Sequence, residues 1–125
     1  MQDDIRAFMP YPAHPVPHAH GGPLSGMTFA VKDLFDVAGY PTGGGNPHLL
    51  ALSGIKSLTA PVVQSLLDSG ARFMGKTHTS ELAYSMSGHN MHYGTPRNGA
   101  APNHIPGGSS SGSASAVSSA VCDFA

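Results

Sequence analysis

Pro106-Gly107-Gly108-Ser109-Ser110-Ser111-Gly112-Ser113-Ala114 is the stretch on which the reading of this chain turns. Two glycines let the backbone come in close and adopt left-handed angles. Three consecutive hydroxyls then put several donors and acceptors into one tight turn. The Ala and Val residues that follow allow a helix to begin near Gly112, which sets the hydroxyls at its N-terminus. Backbone N–H groups there favour developing negative charge. The same composition also fits a flexible Gly/Ser linker. Passage into an apolar Ala/Val run, and a lysine-bearing strand far upstream, favour the ordered alternative.

That strand is Gly26-Met27-Thr28-Phe29-Ala30-Val31-Lys32-Asp33. Met27, Phe29 and Val31 alternate with Thr28, Ala30 and Lys32, the period of a strand. Both faces are mostly apolar, as in a strand covered on two sides. Lys32 stands at its end, on the face of Thr28 and Ala30. It either snorkels to water or is a desolvated amine used as a base. For the latter its pKa must fall by roughly three from about 10.4, a cost on the order of 4 kcal/mol.

Leu34 to Gly45 reads as loop, with Asp33 and Asp36 as turn and cap residues. Thr59-Ala60-Pro61 opens a helix near 60–69, with Val62, Val63, Leu66 and Leu67 as its apolar face and Gly70 as its stop. A short strand follows near 72–75, then a helical turn over Thr79–Ala83 and a long irregular segment from Tyr84 to Pro106. This order of elements predicts an α/β layer architecture. Residues 1–22 form a Pro/His-rich extended arm, because prolines at 10, 12, 15 and 17 exclude helix and central strand. It is laid on a surface or is a mobile tail. His14, His18 and His20 could ligate a metal, but nothing fixes their geometry, so no metal is assigned.

Two patterns mislead. Gly70-Ala-Arg-Phe-Met-Gly75-Lys76-Thr77 satisfies the phosphate-loop pattern, yet a helix precedes Gly70 and the intervening residues read as strand. Lys76 is then a strand-end residue. Gly108–Gly112 satisfies the nucleophile-elbow pattern around Ser110, but it lacks a preceding strand and a downstream histidine. The net charge of −1 draws the chain to neither nucleic acid nor anionic membrane. A single cysteine, Cys122, excludes an internal disulfide and fits a reducing compartment. The start, Met1-Gln2-Asp3-Asp4-Ile5, lacks signal-peptide regions, and no run reaches membrane-span length, so a cytoplasmic location is expected. Only 10% of residues are charged, and Gly and Pro number 16 and 11. That composition predicts a loop-rich slab of a larger buried structure.

Val31-Lys32-Asp33, Gly75-Lys76-Thr77, Thr95-Pro96-Arg97-Asn98 and the run Pro106–Ala114, in that order and spacing, resemble the N-terminal part of an amidase signature enzyme. The resemblance covers residues 23–125. Its wording at Phe29–Asp33 and His92–Asn98 is similar to amidases that cleave indole-3-acetamide-like arylacetamides. It implies a mixed β-sheet flanked by helices, incomplete in this chain, and a Ser–cis-Ser–Lys triad. Lys32 would be the general base. Ser109, on a non-proline cis peptide, would relay a proton between Lys32 and a nucleophilic serine. Tyr84 and Ser85 would line the acyl pocket, while Ser110 and Ser111 would support the turn. The partner would be a small-molecule amide, with no cofactor. The family's nucleophile belongs to a later Gly-Gly-Ser segment that none of these residues repeats, so the chain is expected to be truncated and inactive alone. Two other readings stand beside this one: a non-catalytic remnant acting as a binding module, and a nucleotide-binding protein built on Gly70–Thr77. The oligomeric state is not legible in the sequence.

Overall fold

The computed structural model describes residues 4–125. Strand β1 (Thr28–Lys32) and strand β2 (Arg72–Thr77) form a parallel pair, with Val31 beside Lys76 and Lys32 beside Thr77. Parallel neighbours need a crossover connection, and this one carries helices α1 (Pro47–Ser53) and α2 (Pro61–Asp68). A 3₁₀ turn (Glu81–Ala83) and helix α3 (Ser111–Ser118) follow β2.

Single bridges extend the pair on both edges. Phe124 lies parallel beside Phe29, and Phe8 lies antiparallel beside Thr77. The pairing directions are therefore mixed, as the resemblance implied. A register shift between Phe29 and Ala30 leaves Met74 as the extra residue of β2, just before Gly75, over which the Phe8 ring packs. A methyl on Gly75 would meet that ring at 2.8 Å.

The alternation of β1 divides the core. Phe29 and Val31 face α2, packing with Val63, Leu67, Val37, Tyr40 and Ala71. Ala30 faces the other way, toward Ala116 of α3, Ala7 and Cys122. Small residues on that side let the helix approach the sheet closely. By the same period of two, Lys32 leaves β1 on the α3 side and Asp33 on the α2 side.

Helix α2 and both strands lie close to their expected positions, and α3 begins at Ser111. Helix α1 was not anticipated. Asn46 caps it by accepting from the backbone N–H of His48 and Leu49 at 2.9 and 3.0 Å, with Pro47 at its first position. It buries no residue, so no apolar stripe marked it in the sequence.

Of the two expectations for the arm, the structure places it on the body. Met9 N–H donates to the Lys76 carbonyl at 2.8 Å and Ala19 N–H to the Leu67 carbonyl at 3.0 Å. His14 N–H donates to the Tyr40 hydroxyl at 2.8 Å. The His14 and His18 rings bond to carbonyls of Pro15 and Ala19. Among the described residues no cluster of His, Cys, Asp or Glu is arranged to hold a metal ion. No helix among them is long and apolar enough to cross a membrane.

Candidate active site

The Gly-Ser run folds as a turn into α3, with Gly107 at φ +76° and the peptide between Gly108 and Ser109 in the cis form. Ser80 N–H donates to the Ser109 carbonyl at 2.9 Å, and Gly108 N–H to the Met86 carbonyl at 3.0 Å. Three residues beyond Ser109, Gly112 N–H donates to the His78 carbonyl at 2.9 Å. The turn is thereby hung on the segment that follows β2.

Lys32 reaches this turn from the opposite side. Its Nζ donates to Ser109 Oγ at 2.6 Å and to Ser110 Oγ at 2.9 Å. Among the described residues no carboxylate pairs with it; the ion pairs there are Lys76–Asp33 and His92–Glu81. Burial pushes the Lys32 amine below the usual lysine range. A lowered pKa raises the share of free amine, which can accept a proton from a neighbouring hydroxyl.

Tyr84 and Ser85 do come to this place. With Ala83, Met86, Gly108 and Ser109 they line an open cavity of about 610 Å³. Tyr84 is exposed, and Ser85 Oγ lies 3.1 Å from Ser87 Oγ. Leu82 and Ala83, beside the cavity, have φ of +50° and +58°, angles that residues with a Cβ adopt at a cost. The turn they make brings Leu82 N–H to the Gly44 carbonyl at 2.7 Å. A second cavity of about 380 Å³ lies against Lys32, Ser110, Phe35, Val62 and Leu66.

Ser110 accepts from Lys32, whereas Ser111 Oγ reaches the His78 carbonyl only at 3.5 Å. Ser113 and Ser115 are buried, as close packing of a small-residue face requires, and Ser113 Oγ meets Thr77 Oγ1 at 2.8 Å.

Asp33 lies in the turn that ends β1, as expected, where Phe35 N–H donates to the Lys32 carbonyl at 3.0 Å. What its turn role did not indicate is that it is fully buried, with its Oδ1 2.8 Å from Lys76 Nζ. Its Oδ2 accepts from Tyr11 O–H at 2.5 Å and Gly43 N–H at 3.0 Å. Lys76 is correspondingly one half of a buried ion pair, which also excludes it from a phosphate loop. Its Nζ further donates to the Pro41 carbonyl at 3.1 Å. Asp36 lies outside any turn; its Oδ1 accepts from Thr42 Oγ1 at 2.7 Å and its carbonyl from Ala60 N–H at 2.9 Å. Asn90 was missed altogether. Buried in the irregular segment, its Nδ2 donates to the Gly45 and Thr79 carbonyls at 2.9 and 3.1 Å. Its Oδ1 accepts from the N–H groups of His92 and Tyr93 at 2.9 and 3.1 Å.

Comparison with known proteins follows the same lines. The chain is 49% identical over 121 residues to Amidase 1 of Oryza sativa subsp. japonica, covering 97% of this chain and 28% of that protein. It is 48% identical over 130 residues to the chloroplastic Outer envelope protein 64 of Arabidopsis thaliana, covering all of this chain and 22% of that one. The chain thus spans about a quarter of the length of these curated relatives. The X-ray structure of native peptide amidase from Stenotrophomonas maltophilia superposes with a TM-score of 0.69 at 40% identity, over 81% of this chain and 21% of that one. The model of the family named Amidase matches residues 10–125, reaching back through part of the arm that the resemblance had left outside. The chain belongs to the Amidase family.

Proposed function

We propose that these residues supply the base and the proton relay of an amide hydrolase. The observation that carries the reading is the 2.6 Å contact between Lys32 Nζ and Ser109 Oγ at the edge of an open cavity. Lys32, as the free amine, takes the Ser109 proton while Ser109 takes that of an attacking serine. The attacking oxygen adds to the amide carbonyl, and the C–N bond breaks as the proton returns through Ser109 to the departing nitrogen. Ammonia leaves and an acyl ester remains. Water, deprotonated by the same relay, adds to the ester and releases the acid.

The attacking serine belongs, by the resemblance, to a later Gly-Gly-Ser segment, so these 125 residues alone should not turn over. The substrate class is a small carboxamide, and arylacetamides are the members to try first. Tyr84 and Met86 offer an apolar wall for the acyl group, with Ser85 a hydroxyl beside it.

The test is a chimera in which this chain replaces the matched segment of the rice protein, assayed for ammonia release from an arylacetamide. Lys32→Ala and Ser109→Ala are each expected to lower kcat by about 10³-fold or more. Full turnover in the chimera carrying Lys32→Ala removes that residue from the base role. Amide binding without turnover in the unsubstituted chimera would favour the binding-module reading instead.

A further inference from the structure

The turn bearing Ser109 and the strand end bearing Lys32 are both fastened to one short segment, Lys76 to Ser80. On the Ser109 side the fastenings are Ser80 N–H to the Ser109 carbonyl and Gly112 N–H to the His78 carbonyl, both at 2.9 Å. On the Lys32 side, Asp33 N–H donates to the Thr77 carbonyl at 3.0 Å, and the Asp33 carboxylate meets Lys76 at 2.8 Å. Alternation along the strands sends Lys76 and Asp33 to one face and Thr77 and Lys32 to the other. The two lysines therefore have opposite fates: Lys76 is neutralised by a carboxylate, and Lys32 is left facing hydroxyls.

We propose that Asp33 is a positioning residue, whose buried contacts with Lys76, Tyr11 and Gly43 aim the Lys32 side chain at Ser109. Its carboxylate joins three separate pieces of chain: β2, the N-terminal arm and the glycine loop that opens the crossover. Its backbone binds two of them again, since the Asp33 carbonyl accepts from Gly44 N–H at 2.9 Å. A methyl at Gly43 would press on this cluster, coming within 2.8 Å of Tyr11 Oη and 3.1 Å of Asp33 Oδ2. With main chain and side chain of Asp33 both held, the direction in which Lys32 leaves the strand is set. Lys32 faces the hydroxyls of Ser109 and Ser110. No ion pair reaches it among the described residues.

The catalytic meaning of this arrangement rests on the proposed function; the geometric claim does not. It is tested on the 125-residue chain itself, by following the titration of the Lys32 side chain by NMR with isotope-labelled lysine. In the unsubstituted chain Lys32 titrates below the usual lysine range. In Asp33→Asn the contact with Ser109 is released, and the Lys32 midpoint rises toward that range, about 10.4. A folded Asp33→Asn chain with an unmoved Lys32 midpoint overturns the proposal. Should that variant not fold, Tyr11→Phe keeps the ion pair and removes one contact. A smaller rise is then expected, and an unmoved midpoint overturns the proposal equally. Loss of turnover plays no part in this readout, so a failed base role for Lys32 in the chimera and a failed aiming role for Asp33 remain separate results.

Discussion

Gly112 of α3 lies against the backbone of His78 so closely that a methyl built on it would stand 2.3 Å from the His78 nitrogen and 2.8 Å from its carbonyl oxygen. Both neighbours are main chain at the end of β2, and neither can swing aside. Gly112→Ala must push α3, and Ser109 with it, away from the sheet. Overpacking of this kind costs about 1–3 kcal/mol. Denaturant titration should show that loss, and the chimera should lose arylacetamide turnover in the same variant. Gly21→Ala, where nothing lies within 4 Å, serves as the control and should leave both unchanged.

Burial lowers the Lys32 pKa, and this fixes the sign of a pH effect on stability. Between the depressed native value and the unfolded value near 10.4, the unfolded chain binds more protons than the native one, so Lys32 makes stability rise with pH there. Below the native value its full cost is present. Lys32→Met should therefore unfold at higher denaturant concentration than the parent at neutral pH. The difference should narrow as pH climbs toward 10.4. A constant difference across that window would contradict the assignment.

Asn90 holds two carbonyls and two N–H groups of three separate segments. Asn90→Ala leaves these partners without their bonds in a buried site, a loss of about 2–4 kcal/mol. Hydrogen exchange should accelerate at His92 and Tyr93, whose N–H groups it accepts from. The strand amides of β1 should accelerate only through the global loss of stability.

Leu52, Leu58 and Ile55 are 86%, 80% and 67% exposed, at and just beyond the end of α1. Neighbouring apolar side chains left in water favour self-association. Leu52→Glu combined with Leu58→Glu should lower light scattering and dye binding of the 125-residue chain without moving its unfolding midpoint by more than about 0.5 kcal/mol.

Elements whose patterning is local were legible in the sequence. Alternation marked β1, the apolar face of Val63 and Leu67 marked α2, and small residues marked α3. Helix α1 was not legible because it buries nothing and is specified by one cap, Asn46. In the candidate site, the pairing of residue 32 with residue 109 came from resemblance, since no periodicity relates positions 77 apart. The buried pairing of Asp33 with Lys76 was not legible for a related reason. A charged residue next to a glycine loop and another near a strand end each have an ordinary local explanation. Only the parallel register, which sets Val31 beside Lys76, brings the two onto one face. Asn90 gave no signal at all, because its partners come from loops and nothing in a lone asparagine tells which carbonyls it will meet.

The bridges that flank the parallel pair bear on the order in which the molecule can be completed. Phe8 is held against Thr77, and Phe124 against Phe29. During synthesis Phe8 has no seat until position 77 has left the ribosome, and β1 waits for its second neighbour until position 124 has emerged. Pairings this distant in the chain form slowly. A nascent chain halted before residue 72 should consequently expose both the arm and the two edges of β1, and a chaperone that recognises bare apolar strands would find its target there.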